Sequence, residues 1–568
     1  MNNTDTVWML FLCAFFLSTN LISQNTAEWQ LPHAQLDATH FNIENSQPNP
    51  THFGNMIGTA GGKEIGNYFN PQFDATGVIN SFRSFHLMEA DFGDAFFPKE
   101  KELSTISCDC GDVLYSCEED KKCEDEYIPY NTYGFRGYKA HYCDWTNDPR
   151  FGIKEIYAAL EAQIPIKAAY CNSSINGECI DETPNPCMPQ DGRAAIGSRK
   201  FPDKWYTADE WGGHQDSIQK HARNYVYNFA ATFCPTDYQK DCLVKVLELG
   251  NEPWGLETPG KLGYHAILKG AVQALKELYG TDKNNWRMKL STAAFDARFA
   301  CDNAPMQYVD DMIPNDPEIT KYIDYLNVHN YPFTNAPCGV PVDNLTLNHT
   351  PESPDGGFLS FKNMEVWKQK NGMEHARINM TEFGWNSSQE DCNSGVGEAN
   401  QAAYHMRAYL LAARYGIHKG FSYCLIDQPK YQWNGSVYSP ESPLYCSTGL
   451  IARDGKKKAS FYATETFVKK LGQKHFLKAI EEKYDRADGI FAYLLGEVDE
   501  LGNGIPTHLV AWRASDLAVS DNQNIQYPKR DSELGKSLTT LTLPSSDMDF
   551  SLADNYFYLG WELSLIHI

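Results

Sequence analysis

Three short runs of this sequence deliver chemically capable side chains at the ends of apolar, strand-like stretches. The run 246–250 ends in Asn251, Glu252 and Pro253, and the alternating run 376–380 ends in Thr381, Glu382, Phe383 and Gly384. Between them, 325–328 leads into His329, Asn330 and Tyr331. Two carboxyl groups on one rim can divide a glycoside cleavage between them. One attacks the anomeric carbon and the other protonates the leaving oxygen, and retention of configuration needs them about 5 to 5.5 Å apart. Their environments must then differ, because the acid has to stay protonated near neutral pH while the nucleophile stays charged. Each residue also has a plainer reading. Glu252 can cap the helix that follows it, His329 can be a satisfied core histidine, and Arg83 can belong to a structural ion pair.

Bringing positions 130 residues apart to one rim requires a frame, and strand-like and helix-like patterns alternate from about residue 50 to 472. Eight strands are expected at 52–57, 78–86, 164–170, 243–249, 288–294, 323–328, 376–380 and 420–426. Helical crossovers are marked by the stripe Ile267, Ala271, Ala274, Leu275 and Leu278 before Gly280, and by the apolar run 402–414 before Gly416. Helical crossovers make the strands parallel, so the expected fold is α/β, a (β/α)8 TIM barrel over 50–472. The open doubly wound sheet is the architectural alternative, but no Gly-x-Gly-x-x-Gly follows a strand. Glu252 would end the fourth strand and Glu382 the seventh. The long Cys-rich crossovers 90–145 and 172–216 are expected to wall a cleft. From 473 to 562 short alternating strands, including 489–495 and 507–512, predict a small C-terminal β-sandwich. Residues 563–568 read as a sequence artefact, which would leave that module truncated.

Asn251-Glu252-Pro253, His329-x-Tyr331 and Thr381-Glu382-Phe383-Gly384 together resemble the motifs of clan A glycoside hydrolases, the retaining 4/7 superfamily, over roughly residues 50–472. The resemblance implies that Glu252 is the acid/base and Glu382 the nucleophile. It also implies that Asn251 binds a sugar 2-hydroxyl, that Tyr331 hydrogen-bonds the nucleophile, and that Arg83 on strand two holds it ionised. Strand eight departs from the clan pattern, since 421–427 carries no tryptophan where many members have one. His86, His329, Trp254, Trp385 and Trp433 are further substrate-binding candidates, the tryptophans as stacking floors or else as packing beneath the rim. Asp427, at the end of strand eight, is a candidate for the same subsite. The expected function is a secreted, endo-acting hydrolase of a β-linked polysaccharide or oligosaccharide, with β-glucan the first candidate. Galactan, agar or mannan hydrolysis and transglycosylation are the alternatives. A catalytically inactive carbohydrate-binding barrel is the alternative from another class.

Lys plus Arg number 49 against 73 Asp plus Glu, a formal charge of -24, which argues against nucleic acid or an anionic membrane as partner. No His-x-x-x-His pair or strand-end Asp/His cluster suggests metal hydrolysis, so no metal or cofactor is expected. Residues 1–24 read as an export signal, because the apolar run 7–17 is shorter than the roughly 20 residues of a spanning helix. After its removal no membrane attachment is expected. The sixteen cysteines fit an oxidising compartment, and loss of Cys13 leaves an odd number. Cys108, Cys110, Cys117 and Cys123 favour disulfides over zinc, having no His among them. Cys234 and Cys242 bracket a short turn and should pair, while Cys424 is the candidate buried thiol. Of the sequons at Asn172, Asn344, Asn348, Asn379, Asn386 and Asn434, Asn379 is expected to be inaccessible.

Overall fold

The computed structural model describes residues 39–40, 47–61, 77–87, 138–139, 142–143, 145–149, 152–161, 173–175, 178–181, 215–251, 258–296, 313, 315–331, 350–352, 358, 361–388, 395–427, 431–433, 438–440, 447–484, 489–514, 555–558 and 563–567. Eight parallel strands close into a barrel: β1 (Ile57–Ala60), β2 (Ser81–Leu87), β3 (Glu155–Glu161), β4 (Val244–Leu249), β5 (Lys289–Asp296), β6 (Tyr325–Asn330), β7 (Arg377–Phe383) and β8 (Lys419–Tyr423). Each strand pairs with its sequence neighbours, and β8 returns to β1 through Gly420 opposite Ile57. The expected fold class is therefore the one found. Helices α1 (Gln215–Phe233), α2 (Thr258–Tyr279), α3 (Phe361–Lys370), α4 (Glu398–Arg414) and α5 (Ala459–Leu471) supply the outer layer.

Two of the eight expected strands lie elsewhere. Residues 52–57 are mostly a helical turn, Phe53–Met56, capped by the His52 side chain, and the strand begins only at Ile57. The third strand is Glu155–Glu161, not 164–170, which falls outside the described residues. Its sequence EIYAALE is rich in good helix formers, yet tertiary burial overrides that propensity. Ile156, Ala158 and Leu160 face the helix layer, while Tyr157 joins Ala60, Val246 and Phe421 in the barrel's interior. The crossovers 90–145 and 172–216 lie largely outside the described residues.

Beyond the barrel, β9 (His475–Tyr484), β10 (Gly489–Val498) and β11 (Gly504–Ala514) form an antiparallel sheet. Leu563–His567 pairs with β11, and Asn555–Tyr558 pairs with Leu563–His567 in turn. Among the described residues this module is a single sheet. Thr39–His40, ahead of the barrel, pairs with the far edge of β9. The sheet's inner face is continuous with the barrel's hydrophobic core through Phe476, Phe491, Tyr493, Val510 and Trp512. Two polar clasps fix the join: Glu352 accepts from Arg407 Nε at 2.6 Å and from Trp512 Nε1 at 2.6 Å. Glu482 accepts from Arg414 Nε at 2.9 Å and from the Tyr493 hydroxyl at 2.7 Å. No described helix is long and apolar enough to cross a membrane.

The Cys234–Cys242 disulfide is present, Cys143 is also disulfide-bonded, and Cys424 is a free, buried thiol. Asn379 and Asn386 are fully buried, and Asn386 Oδ1 accepts from the backbone of Ser447. The other four sequon asparagines lie outside the described residues.

Candidate active site

Strand periodicity decides which side chains reach the barrel mouth, because residues two apart share a face. On β2, Phe82 packs edge-on against Trp145 in the outer layer, whereas Arg83 and Phe85 turn inward with the guanidinium 4.7 Å above the Phe85 ring. On β4, Leu247 and Leu249 join the outer core while Val246 and Glu248 turn inward. Gly250 then adopts φ 98°, a conformation that favours glycine, and Asn251 is carried over the mouth. Its carbonyl is anchored by the Ala294 amide at 2.9 Å. On β7 a bulge between Met380 and Glu382 resets the register, so that Glu382 stands beside His329 of β6.

These residues converge on one guanidinium. Arg83 Nε and Nη2 donate to Glu248 Oε2 and Oε1, both at 2.7 Å, a bidentate fork. Nη2 also donates to Asn251 Oδ1 at 2.8 Å, and Nη1 donates to Glu382 Oε1 at 2.6 Å. The other carboxylate oxygen of Glu382 accepts from the Tyr331 hydroxyl at 2.5 Å, with His329 Nδ1 3.6 Å away. Arg83 and Glu248 are fully buried and Glu382 is 5% exposed, so these charges act on each other with little help from solvent. Burial alone would weaken the charge on Arg83. Attraction and hydrogen bonding from Glu248, then from Glu382, outweigh it and raise its pKa far above the ordinary value. A lasting cation and a hydroxyl donor both favour the ionised form of Glu382. With Oδ1 committed to Arg83, Asn251 presents its amide N–H groups as donors.

Arg83, Asn251, His329, Tyr331 and Glu382 thus come together at the mouth of the barrel. Glu252 and Trp254 lie outside the described residues, directly after Asn251. Trp433 ends a short strand, Tyr431–Trp433, paired with Tyr438–Pro440. His86, a substrate-binding candidate, packs away from these groups. Three residues from Arg83, it faces the opposite side of β2, stacked on Tyr138 at 3.9 Å and edge-on to Phe229 and Phe233 of α1. Trp385 is likewise not a sugar platform. It is 0% exposed, stacked on Phe358 at an interplanar angle of 8° and edge-on to Tyr404. Asp427 is consumed by structure, accepting from Lys458 Nζ at 2.7 Å and from the Gly449 amide at 2.8 Å. Lys458 Nζ also reaches Ser387 Oγ and the Ser447 carbonyl, both at 2.9 Å, which ties together the loops after β7 and β8.

Two residues escaped the sequence reading. Glu248 shares the inward parity of Val246, and a carboxylate inside an apolar strand signals a buried cationic partner. Tyr423, at the end of β8, is half-buried in the mouth and stands edge-on to Tyr331 at 6.3 Å and to Phe85 at 6.4 Å. It supplies an aromatic edge on the strand that lacks tryptophan. Among the described residues no cluster of three His, Cys, Asp or Glu side chains could hold a metal ion.

No protein-family model matches the chain, and no curated protein matches it either. Solved structures with a similar course of chain include a family 39 glycoside hydrolase from the gut symbiont Bacteroides cellulosilyticus WH2, at 16% identity over 80% of this chain and 70% of that one, TM-score 0.46. A glucosidase from Croceicoccus marinus is similar at 10% identity over 84% and 78% of the two chains, TM-score 0.45. The exo-β-1,4-mannosidase Op5Man5 from Opitutaceae bacterium strain TAV5 follows at 12% identity over 77% and 63%, TM-score 0.42. Likeness this distant carries no functional argument, and the site's own chemistry has to supply one.

Proposed function

We propose that this chain is a secreted, retaining glycoside hydrolase that cleaves a β-linked glycan by double displacement. The observation that carries the reading is Glu382, set at the end of β7 with one oxygen on Arg83 and the other on Tyr331. A carboxylate so held stays ionised and oriented, as a nucleophile requires. Asn251, at the end of β4, belongs to the same hydrogen-bonded array, and the next residue in the chain is Glu252.

In the first step a Glu382 oxygen attacks the anomeric carbon while the Glu252 carboxyl gives its proton to the departing glycosidic oxygen. In the second, Glu252 takes a proton from water, and the resulting hydroxide displaces Glu382 from the sugar. The amide of Asn251 serves the sugar 2-hydroxyl, a contact that strengthens as the oxocarbenium-like transition state forms. Tyr331 follows charge away from Glu382 and back. Tyr423 offers an aromatic edge to the sugar bound between them.

β-Glucan is the first candidate substrate, and internal cleavage the proposed mode. The test is product release from β-glucans, mannans, xylans and galactans by the wild type beside Glu382→Gln. Activity on one glycan that disappears in the variant establishes a Glu382-dependent glycosidase and names its substrate class, and products of several lengths add endo cleavage. New glycosides formed with an added acceptor sugar would instead identify a transglycosylase. Binding of a glycan without turnover, equal in both proteins, would sink the catalytic reading.

A further inference from the structure

Glu248 is a fully buried carboxylate that the double displacement does not consume. It takes the whole Nε/Nη2 edge of Arg83 in two 2.7 Å hydrogen bonds. A guanidinium has five N–H groups in a rigid plane, and left to itself it offers a carboxylate a two-bond fork. Such a fork on Glu382 would tie both of its oxygens to one cation and blunt the nucleophile. Here Glu248 holds that edge and Asn251 takes the remaining N–H of Nη2, so no fork is left and Glu382 receives a single Nη1 N–H on Oε1, with Oε2 left to Tyr331. The second N–H of Nη2 is turned onto Asn251 Oδ1.

We propose that Glu248 is a positioning residue for the nucleophile: it holds Arg83 in one orientation and divides its charge, so that Glu382 is ionised yet reactive and Asn251 is aimed by the same cation. This rests on the glycosidase reading above. Among the described residues, the groups around Glu382 include Arg83 and, behind it, Glu248; His329 of β6 and Tyr331 just after it; and Cys424 just after β8.

The experiment compares wild type, Glu248→Gln, Glu248→Asp and Glu382→Gln on whichever glycan the panel identifies. In parallel, the carboxyl carbons of 13C-labelled glutamate are titrated by NMR, with the Glu382 signal identified by its loss in Glu382→Gln. Glu248→Gln removes a like charge that shares the cation with Glu382. Its acid limb in kcat/KM, and the Glu382 titration seen by NMR, should both move down by about one to two pH units. Its kcat should fall roughly ten- to hundredfold with KM within about threefold. Glu248→Asp keeps the charge but shortens the arm, so kcat should fall while the acid limb stays in place; it also carries the test if Glu248→Gln does not fold. A lower melting temperature in both variants with unchanged kcat and titration would overturn the proposal in favour of a purely structural pair. An upward shift in Glu248→Gln would overturn the division of charge. Full activity in Glu382→Gln would instead overturn Glu382 as the nucleophile, and the NMR titration would still decide whether Glu248 shares the charge of Arg83 with it.

Discussion

Replacing Arg83 with leucine should make a protein that is more stable, relative to wild type, in acid than at neutral pH. The substitution leaves Glu248 and Glu382 buried at 0% and 5% exposure without the cation that serves both. Arg83 donates four hydrogen bonds, three of them to carboxylates. Summing charged hydrogen bonds at about 1.5–3 kcal/mol each would overshoot, because they share one group. Removing one partner of a buried ion pair costs roughly 3–5 kcal/mol, and about 4 kcal/mol is the expected loss here. In Arg83→Leu the folded-state pKa of the stranded carboxylates rises above the unfolded value. Their contribution to stability is then fully present below the unfolded pKa and lost as pH rises through the folded pKa. The deficit against wild type should be largest near pH 8 and shrink steadily toward pH 4. Thermal unfolding of both proteins across that range measures it, with a difference on the order of 8 °C at pH 8, taking about 2 °C per kcal/mol for a large domain. A deficit that is equal at pH 4.5 and pH 8 would refute the reasoning, and so would no deficit at all. The double variant Arg83→Leu/Glu248→Leu should recover part of the loss, since it leaves only Glu382 uncompensated.

His86→Phe should retain near-wild-type kcat/KM, because the ring packs between β2 and α1 on the side away from Glu382; a hundredfold loss on the identified substrate would place it in the site after all. Trp385→Ala should lower stability by about 3–5 kcal/mol, as for other large core truncations, and chemical denaturation with a parallel KM measurement separates this from a substrate contact. Reducing the Cys234–Cys242 disulfide, whose cysteines are separated by 8 in sequence, should cost about 2.5 kcal/mol by loop entropy, read by denaturation of Cys234→Ser/Cys242→Ser. Gly449→Ala should destabilise strongly, because its Cβ would lie 2.3 Å from the Asp427 amide nitrogen and displace the Lys458 clasp; a melting temperature equal to wild type would show that the clasp tolerates the shift.

The parts of the site legible in the sequence were those where chemistry and strand periodicity coincide. Asn251, Tyr331 and Glu382 each close an apolar strand, and a strand end at a barrel's carboxyl face is where reacting groups gather. Arg83 was legible only through the resemblance, which implies an arginine on strand two beside the nucleophile. The same rule settles two residues whose place is not evident from type alone. His86 is an odd number of residues from Arg83, which puts it outside the barrel, and Glu248 is an even number from Val246, which puts it inside. Trp385 looked like a platform because it follows Glu382, but beyond the strand end periodicity no longer constrains direction, and Phe358 and Tyr404 decide it. The third strand is not legible, because Glu155–Glu161 has a helix former's composition and only the closed sheet around it makes it extended.

The stitch ahead of the barrel has a consequence for how the polypeptide can be cut or recombined. Thr39–His40 pairs with Lys483 and Tyr484, the Asn49 amide donates to the Phe476 carbonyl, and Phe53 does the same to Lys474. The stretches entering and leaving the barrel are therefore laced to each other beside the seam where β8 meets β1. The terminal sheet is thus no detachable cassette. Exchanging it for another module would strip Trp512 from Glu352 and Glu482 from Arg414, and open the apolar layer outside the barrel to water.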